Sequence, residues 1–210
     1  VQTCALPISV VRPYRRMLSF CASPDFLTDD TLWYARAEGL FTSEDLGVNW
    51  EKRRFRPAQQ IRGISSGFNH LGEVIVHGST YGSGLFRTNM DTGASDTVLG
   101  GGLIYFGCLT GSPSQHADGL IMAGGQRDIG IVLEDPIPPY VQGWYSVNDI
   151  REAIDGDTGY VRTLAIAPDF AGPGAPGGNQ VFCWSARYDN SPLGESRITL
   201  DGLANVHMLN

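Results

Sequence analysis

The chain has 210 residues, of which 42% are hydrophobic and 18% are charged, a composition typical of a globular protein. Its formal net charge of −7 argues against a broad nucleic-acid-binding surface, because such a surface requires a basic patch. The sequence has no run of about 18 apolar residues, so we predict no membrane-spanning helix.

Residues 1–9, VQTCALPIS, read as the in-frame translation of a sequencing-library adapter. They lack the charged and apolar regions of a secretory signal, and they do not fit the pattern that follows. We therefore expect this segment to be non-native and the native N-terminus to be missing, in which case Cys4 has no biological role. The alternative is an ordinary N-terminal tail.

Four similar units follow in chain order. Each opens with an apolar run that ends in a small residue, continues through a polar turn, and then enters a short run of strand-forming residues. These runs are TLWYA, EVIVHG, LIMAG and QVFCWS. When the register is anchored on Ser23, Ser65, Ser112 and Ala167, the steps are 42, 47 and 55 residues, and propeller blades repeat at about 40–50 residues.

Each unit has the content of a four-stranded antiparallel sheet, which buries both faces only when it stacks against neighbours. The sequence therefore predicts an all-β fold, a β-propeller of about four consecutive four-stranded blades that belong to a larger, incomplete propeller. The expected blade bounds are about 17–60, 61–103, 104–159 and 160–210. We expect one short helix within 148–156, where Asn148 is a suitable N-cap.

The stretch SEDLGVNW, Ser43 to Trp50, follows the GLF run of the first unit. Asp45 can accept backbone N–H bonds within a tight hairpin, and Gly47 can take the positive φ that such a turn needs. Trp50 can fold its ring beneath the hairpin and seal the space between blades, so we expect it to be largely buried. We interpret the stretch as a turn that carries no chemistry.

The spacing Ser/Thr-x-Asp-x-Gly-x-x-Trp resembles the Asp box, or BNR repeat, of β-propellers. Only the first box is complete. A degenerate box surrounds Asp91 and Gly93, and a trace remains in Thr199, Asp201 and Gly202. The resemblance implies a propeller in which the box is a structural turn away from the binding face. The family includes sialidases, xyloglucanase-type glycoside hydrolases, sortilin-type receptors and photosystem II assembly factors.

Candidate catalytic and metal-binding residues are few. Asp128 in QRDIGI resembles the stretch that carries a catalytic carboxylate in the xyloglucanase type, but glycoside hydrolysis requires a pair of carboxylates. The sialidase type is less well matched. Phe55–Pro57 (FRP), which contains Arg56, resembles the Phe-Arg-Ile-Pro motif of sialidases, but it lacks the Ile and follows the first box instead of preceding it. Asp155 and Asp157 have a spacing that suits Ca²⁺, although no bidentate glutamate follows. The alternative is a polar turn for Asp128, Asp155 and Asp157, and a solvated surface charge for Arg56.

The function that we predict is a binding or scaffold module for a protein or glycan partner on the loop face of the propeller. The alternative is a fragment of a secreted glycoside hydrolase. The sequence indicates no cofactor, no nucleic-acid partner and no membrane span. An extracellular or cell-envelope location is implied by the resemblance alone.

Overall fold

The structure is a computed structural model, and it describes residues 19–53, 61–80, 82, 84–99, 106–113, 115–125, 129–133, 159–168, 170, 180–187, 192–201 and 205–209. Within these residues the secondary structure is almost entirely strand. No helix in the described part of the chain is long and apolar enough to cross a membrane.

The described elements fall into four groups in chain order. The first contains β1 (Ser19–Ala22), α1 (Phe26–Asp29), β2 (Leu32–Arg36), β3 (Gly39–Ser43) and β4 (Glu51–Arg53). The second contains β5 (Ile61–Phe68), β6 (Val74–Thr80), β7 (Leu85–Asn89) and β8 (Ser95–Leu99). The third contains β9 (Phe106–Gly111), α2 (Gln115–Asp118), β10 (Leu120–Gly125) and β11 (Ile129–Leu133). The fourth contains β12 (Gly159–Ile166), β13 (Gln180–Arg187), β14 (Pro192–Asp201) and β15 (Asn205–Leu209).

Each group forms one antiparallel sheet in which consecutive strands are neighbours, and we number these sheets 1 to 4. Sheets 1, 2 and 4 have four strands, and sheet 3 has three strands within the described residues. Such meanders need only short connections, since antiparallel strands are joined directly by turns. The predicted short helix at 148–156 lies outside the described residues.

Sheets 1 and 2 pack face to face because their strands alternate between buried and more exposed residues. In β2 the side chains of Trp33 and Ala35 are buried, 2% and 0% exposed, whereas their neighbours are only partly buried. They form one core with the following residues of sheets 1 and 2: Leu40, Ile61, Ile64, Val76 and Phe86. A second core joins sheets 2 and 3 through Leu85, Val98, Ile121 and Ala123.

The first strands of successive sheets lie side by side, because β5 contacts both β1 and β9, and β9 contacts β12. Two adjacent serines of β5 reach to opposite sides. The Ser66 hydroxyl donates to the Ala22 carbonyl of β1, and the Ser65 hydroxyl accepts the Gly111 N–H of β9 at 3.0 Å. Because neighbouring side chains of a strand point to opposite sides, β5 is hydrogen-bonded both to β1 of sheet 1 and to β9 of sheet 3. Gly63 permits this approach, since a Cβ there would lie 3.1 Å from the Leu109 nitrogen.

The structure corrects the sequence register of the second unit. The Ser23 N–H donates to the Thr31 carbonyl, and the Ser112 N–H donates to the Leu120 carbonyl, so both residues open the turn after the first strand. In sheet 2 this position belongs to Asn69, whose N–H donates to the Glu73 carbonyl. Ser65, which the sequence register equates with these residues, lies inside β5. Serine and asparagine both suit turns, so composition alone does not fix this register.

The one-turn helices α1 and α2 occupy corresponding turns of sheets 1 and 3, and neither was predicted. The Phe26 N–H donates to the Ser23 carbonyl, and the Gln115 N–H donates to the Ser112 carbonyl. Each helix is only four residues long, too short to show the periodicity by which helices are recognised in a sequence.

Candidate functional site

The Ser43–Trp50 turn joins β3 to β4 and is held by its own polar side chains. The Ser43 hydroxyl donates to Asp45 Oδ1 at 2.7 Å and accepts the Gly47 N–H at 2.8 Å. Asp45 Oδ1 also accepts the Asn49 backbone N–H at 2.8 Å, while Oδ2 accepts the Asn49 side-chain amide at 2.6 Å. Gly47 has a φ of 87°, a conformation that costs glycine little.

These contacts set the electrostatics of Asp45. The Asn49 backbone N–H, followed by the Ser43 hydroxyl and the Asn49 amide, lowers the pKa of the Asp45 carboxyl. Hydrogen bonds donated to a carboxylate stabilise its charged form. A catalytic acid that works near neutral pH needs the opposite shift. We therefore propose that Asp45 holds the turn and does not transfer protons.

Trp50 is half-buried, whereas we expected it to be largely buried between blades. Its Nε1 donates to the Gly47 carbonyl at 2.9 Å, and its ring meets the Tyr34 ring edge-on at 4.5 Å between centroids. Tyr34 stacks on Phe41 at 4.8 Å, and the Arg36 guanidinium lies 5.2 Å from the Tyr34 centroid. Trp50 therefore packs on the face of sheet 1 opposite to the face that meets sheet 2, because strand neighbours alternate.

The degenerate-box residues Asp91 and Gly93 lie in the turn between β7 and β8. Gly93 has a φ of 73°, but the turn is organised by Asn89, whose Oδ1 accepts the N–H groups of Asp91 and Thr92 at 3.0 and 2.9 Å. Asp91 Oδ2 accepts the Val74 N–H of β6 at 3.3 Å. Sequence reasoning missed Asn89, although an asparagine that ends a strand is a recognised turn signal.

Two of the remaining candidates lie in the last described sheet. Thr199 and Asp201 belong to β14, where Asp201 is paired with Asn205 of β15 at the hairpin end. The following candidates lie outside the described residues: Arg56, Asp128, Asp155, Asp157 and Gly202. Within the described ranges, no group of three His, Cys, Asp or Glu side chains is arranged to hold a metal ion.

A pocket of about 180 Å³ opens beside the β5–β6 and β7–β8 turns and reaches α2. Its apolar surface includes Phe68 and Leu71. Its polar lining includes His70, Glu73, Arg87, Asn89, Asp96 and Gln115. Sequence reasoning did not identify this site, because its residues come from three turns and two sheets.

A shared carboxylate holds two turns of the pocket together. Glu73 Oε2 accepts the side-chain amides of Asn69 and Asn89, at 2.8 and 3.0 Å. On the adjacent strands, Arg87 pairs with Asp96 at 3.7 Å. Both carboxylates of the pocket are thus engaged with neighbouring side chains, an arrangement that suits a rigid binding wall better than proton transfer.

Gln115 is the buried polar group of the pocket, with 5% of its surface exposed. Its side chain crosses β5 and β9 where both carry glycine, since a Cβ on Gly67 or Gly111 would overlap the Gln115 amide. Within the described residues, Gln115 Oε1 has no hydrogen-bond partner. Buried polar atoms are almost always hydrogen-bonded, so this exception requires an explanation.

In sequence, the chain matches no protein-family model and none of the curated proteins. In structure, it is similar to the GH74 xyloglucanase from Xanthomonas campestris, with a TM-score of 0.55 and 13% identity over 85% of this chain and 27% of that chain. It is also similar to the Neurospora crassa Pan2 WD40 domain, with a TM-score of 0.58 and 12% identity over 92% of this chain and 51% of that chain.

A third similar structure comes from the nidogen/laminin complex, with a TM-score of 0.60 and 10% identity over 94% of this chain and 65% of that chain. The chain thus spans less than two thirds of the length of each of these three chains. At such low identity the likeness shows the fold alone. The expected all-β, propeller-like architecture is confirmed, while the Asp-box family, the number of blades and the closure of the ring stay predictions.

Proposed function

We propose that this chain is an Asp-box β-propeller module that binds a partner without catalysis, and that the partner is a glycan held in the pocket beside the β5–β6 turn. The observation that carries the proposal is the buried Gln115 amide in the pocket wall, whose Oε1 lacks a partner among the described residues. Because this oxygen is fully buried against Gly67 and Gly111, a sugar hydroxyl can donate to it only when the Gln115 side chain turns toward the pocket.

The rest of the lining supports a sugar ligand. Glycan hydroxyls need both donors and acceptors, and the pocket supplies both: Arg87 of β7 as a donor and Glu73 of the β5–β6 turn as an acceptor. The hydrophobic C–H face of a sugar ring can pack on Phe68 and Leu71, and Leu71 is 68% exposed. Pockets for drug-sized molecules have about 300–1,000 Å³, so this smaller pocket suits a single sugar unit of a longer chain.

The test is calorimetric titration with neutral oligosaccharides, namely cello-oligosaccharides and xyloglucan oligosaccharides. The native chain is expected to bind at least one of them, and Gln115→Ala and Arg87→Ala are expected to weaken that binding by about tenfold or more. Arg53→Ala is the matched control, because Arg53 pairs with Glu44 at 2.7 Å outside the pocket. Equal binding by all variants, or no binding by the native chain, would refute the glycan proposal.

The alternative function is glycoside hydrolysis, with Asp128 as one carboxylate of the pair. It is favoured by the likeness of the fold to a GH74 xyloglucanase. Release of reducing ends from xyloglucan, abolished by Asp128→Asn, would establish this alternative. An extracellular or cell-envelope location fits both functions and is part of the proposal.

A further inference from the structure

Three apolar side chains stand exposed at one end of sheet 1, and we call them the turn patch. Leu27 of α1 is 96% exposed, and Leu46 and Val48 of the Ser43–Trp50 turn are 59% and 49% exposed. The Leu46 N–H donates to the Asp30 carbonyl at 3.2 Å, so α1 and the turn are joined at their tips. The three side chains therefore project from one connected pair of loops.

At two of these three positions, the corresponding turn of another sheet carries a polar residue. Leu27 is the second residue of α1, and the second residue of α2 is His116. Leu46 precedes Gly47, and the residue before Gly93 is Thr92. Single exposed apolar residues are common, but Leu27 and Leu46, which have polar counterparts, lie with Val48 on one connected pair of loops, and such a set indicates an interaction surface.

Leu46 also adopts an unfavourable backbone conformation. Its φ is 58°, a region in which a bulky L-residue is an outlier and asparagine or glycine is preferred. The left-handed conformation is energetically unfavourable for such a residue. A side chain that is 59% exposed gains little packing in return. Contact with a binding partner would add packing that this side chain lacks in the free chain.

The charges around the patch specify the partner. Neither residues 24–31 nor residues 43–50 contain a lysine, arginine or histidine. Asp25 and Asp30 are exposed beside Leu27, and Glu44 is exposed beside Leu46, paired with Arg53. An apolar surface with an acidic rim is complementary to a segment that carries both apolar and basic side chains.

We infer that the turn patch docks an amphipathic, basic segment of a partner protein, with leucine-like side chains on the patch and lysines or arginines at its acidic rim. Such a segment can bind as an amphipathic helix that lays its apolar face on the hydrophobic surface, a recurring mode of peptide recognition. The inference concerns a different surface from the glycan pocket, and it stands or falls independently of the glycan proposal.

The experiment measures fluorescence anisotropy of two labelled peptides of about 15 residues, which have leucines at helical spacing and either lysines or glutamates at all other positions. The lysine peptide is expected to bind the native chain at least about tenfold more tightly than the glutamate peptide. The double variant Leu27→Ser, Leu46→Asn is expected to lose about tenfold or more of the affinity for the lysine peptide. This variant should fold well, because asparagine tolerates the left-handed conformation.

Two controls separate the patch from general charge attraction. Leu71→Ser removes another exposed apolar side chain and is expected to leave peptide affinity unchanged, as is the pocket variant Arg87→Ala. Equal affinity of the double variant and the native chain for the lysine peptide would overturn the inference. A native dimer that sedimentation shows to dissociate in the double variant would also overturn it, since a second copy would then be the occupant.

Discussion

Removal of the Ser43 hydroxyl is the sharpest test of the turn that joins β3 to β4. Ser43 is 2% exposed, and its oxygen donates to Asp45 Oδ1 and accepts the backbone N–H groups of Gly47 and Asp45, at 2.7, 2.8 and 3.4 Å. In Ser43→Ala both N–H groups lose their acceptor. A hydrogen bond contributes about 0.5–1.5 kcal/mol, and a buried group left unpaired costs about 1–3 kcal/mol.

Water can replace part of this loss because Asp45 and Gly47 are only half-buried. We therefore expect Ser43→Ala to lower the free energy of unfolding by about 1–2 kcal/mol. For a chain of this size that corresponds to a fall in Tm of about 2–8 °C. Thermal unfolding followed by circular dichroism, together with urea titration, measures both quantities.

Two comparisons make the result interpretable. Ser43→Thr keeps the hydroxyl and is expected to keep most of the stability, and Thr28→Ala changes an exposed position of α1, where about 0.5 kcal/mol or less is expected. If Ser43→Ala unfolds at the same temperature as Thr28→Ala, the hydroxyl does not hold the turn and the reasoning fails.

Asp45→Asn is expected to be less stable than the native chain at neutral pH. Because the pKa of Asp45 is lowered in the folded chain, the difference in free energy of unfolding should shrink as the pH falls below about 4. Urea titrations from pH 7 downward would measure this change. Gly67→Ala is expected to destabilise the chain by about 1–3 kcal/mol, because the new Cβ overlaps the Gln115 amide. In a Gln115→Ala background the same substitution should destabilise the chain less, and a double-mutant cycle would measure the difference. Leu46→Gly removes an unfavourable backbone conformation and is expected to raise Tm, and an unchanged or lower Tm would remove the argument for strain. Deletion of residues 1–9 is expected to leave Tm unchanged, and a fall of several degrees would show that this segment is native.

The strands could be predicted from the sequence because their signal is local. TLWYA coincides with most of β2, which spans Leu32–Arg36, and QVFCWS lies within β13, which spans Gln180–Arg187. Alternating apolar residues with β-branched and aromatic side chains favour strands wherever they occur. Repetition of such units then predicts stacked sheets, since one sheet alone leaves a face uncovered.

The pocket could not be predicted because it depends on contacts between distant residues. Gln115 lies across Gly67, 48 positions earlier in the chain, and no local pattern announces that contact. Asn69, Glu73 and Asn89 form their network only after β5, β6 and β7 have paired. Each of these residues alone is typical of a polar turn, so the sequence predicts the turns but does not predict the pocket that lies between them.

In the Ser43–Trp50 turn, the residues that hold the backbone differ from the residues that are exposed for binding. Ser43, Asp45 and Gly47 are buried or half-buried and make the bonds that fix the chain path, whereas Leu46 and Val48 between and after them are exposed. Because the hairpin is held by one set of residues, the other set is free to vary without loss of the fold.

This arrangement predicts that substitution of a residue that holds the turn lowers stability but not peptide affinity, and that substitution of an exposed residue does the reverse. Ser43→Ala should lower Tm while the folded protein retains its affinity for the basic peptide, measured well below Tm. Val48→Ser should retain Tm to within about 1–2 °C, since an exposed change costs about 0.5 kcal/mol or less, but it should weaken peptide binding. Loss of both properties in Val48→Ser would mean that this side chain supports the hairpin, and the assignment of exposed positions to binding would then be wrong.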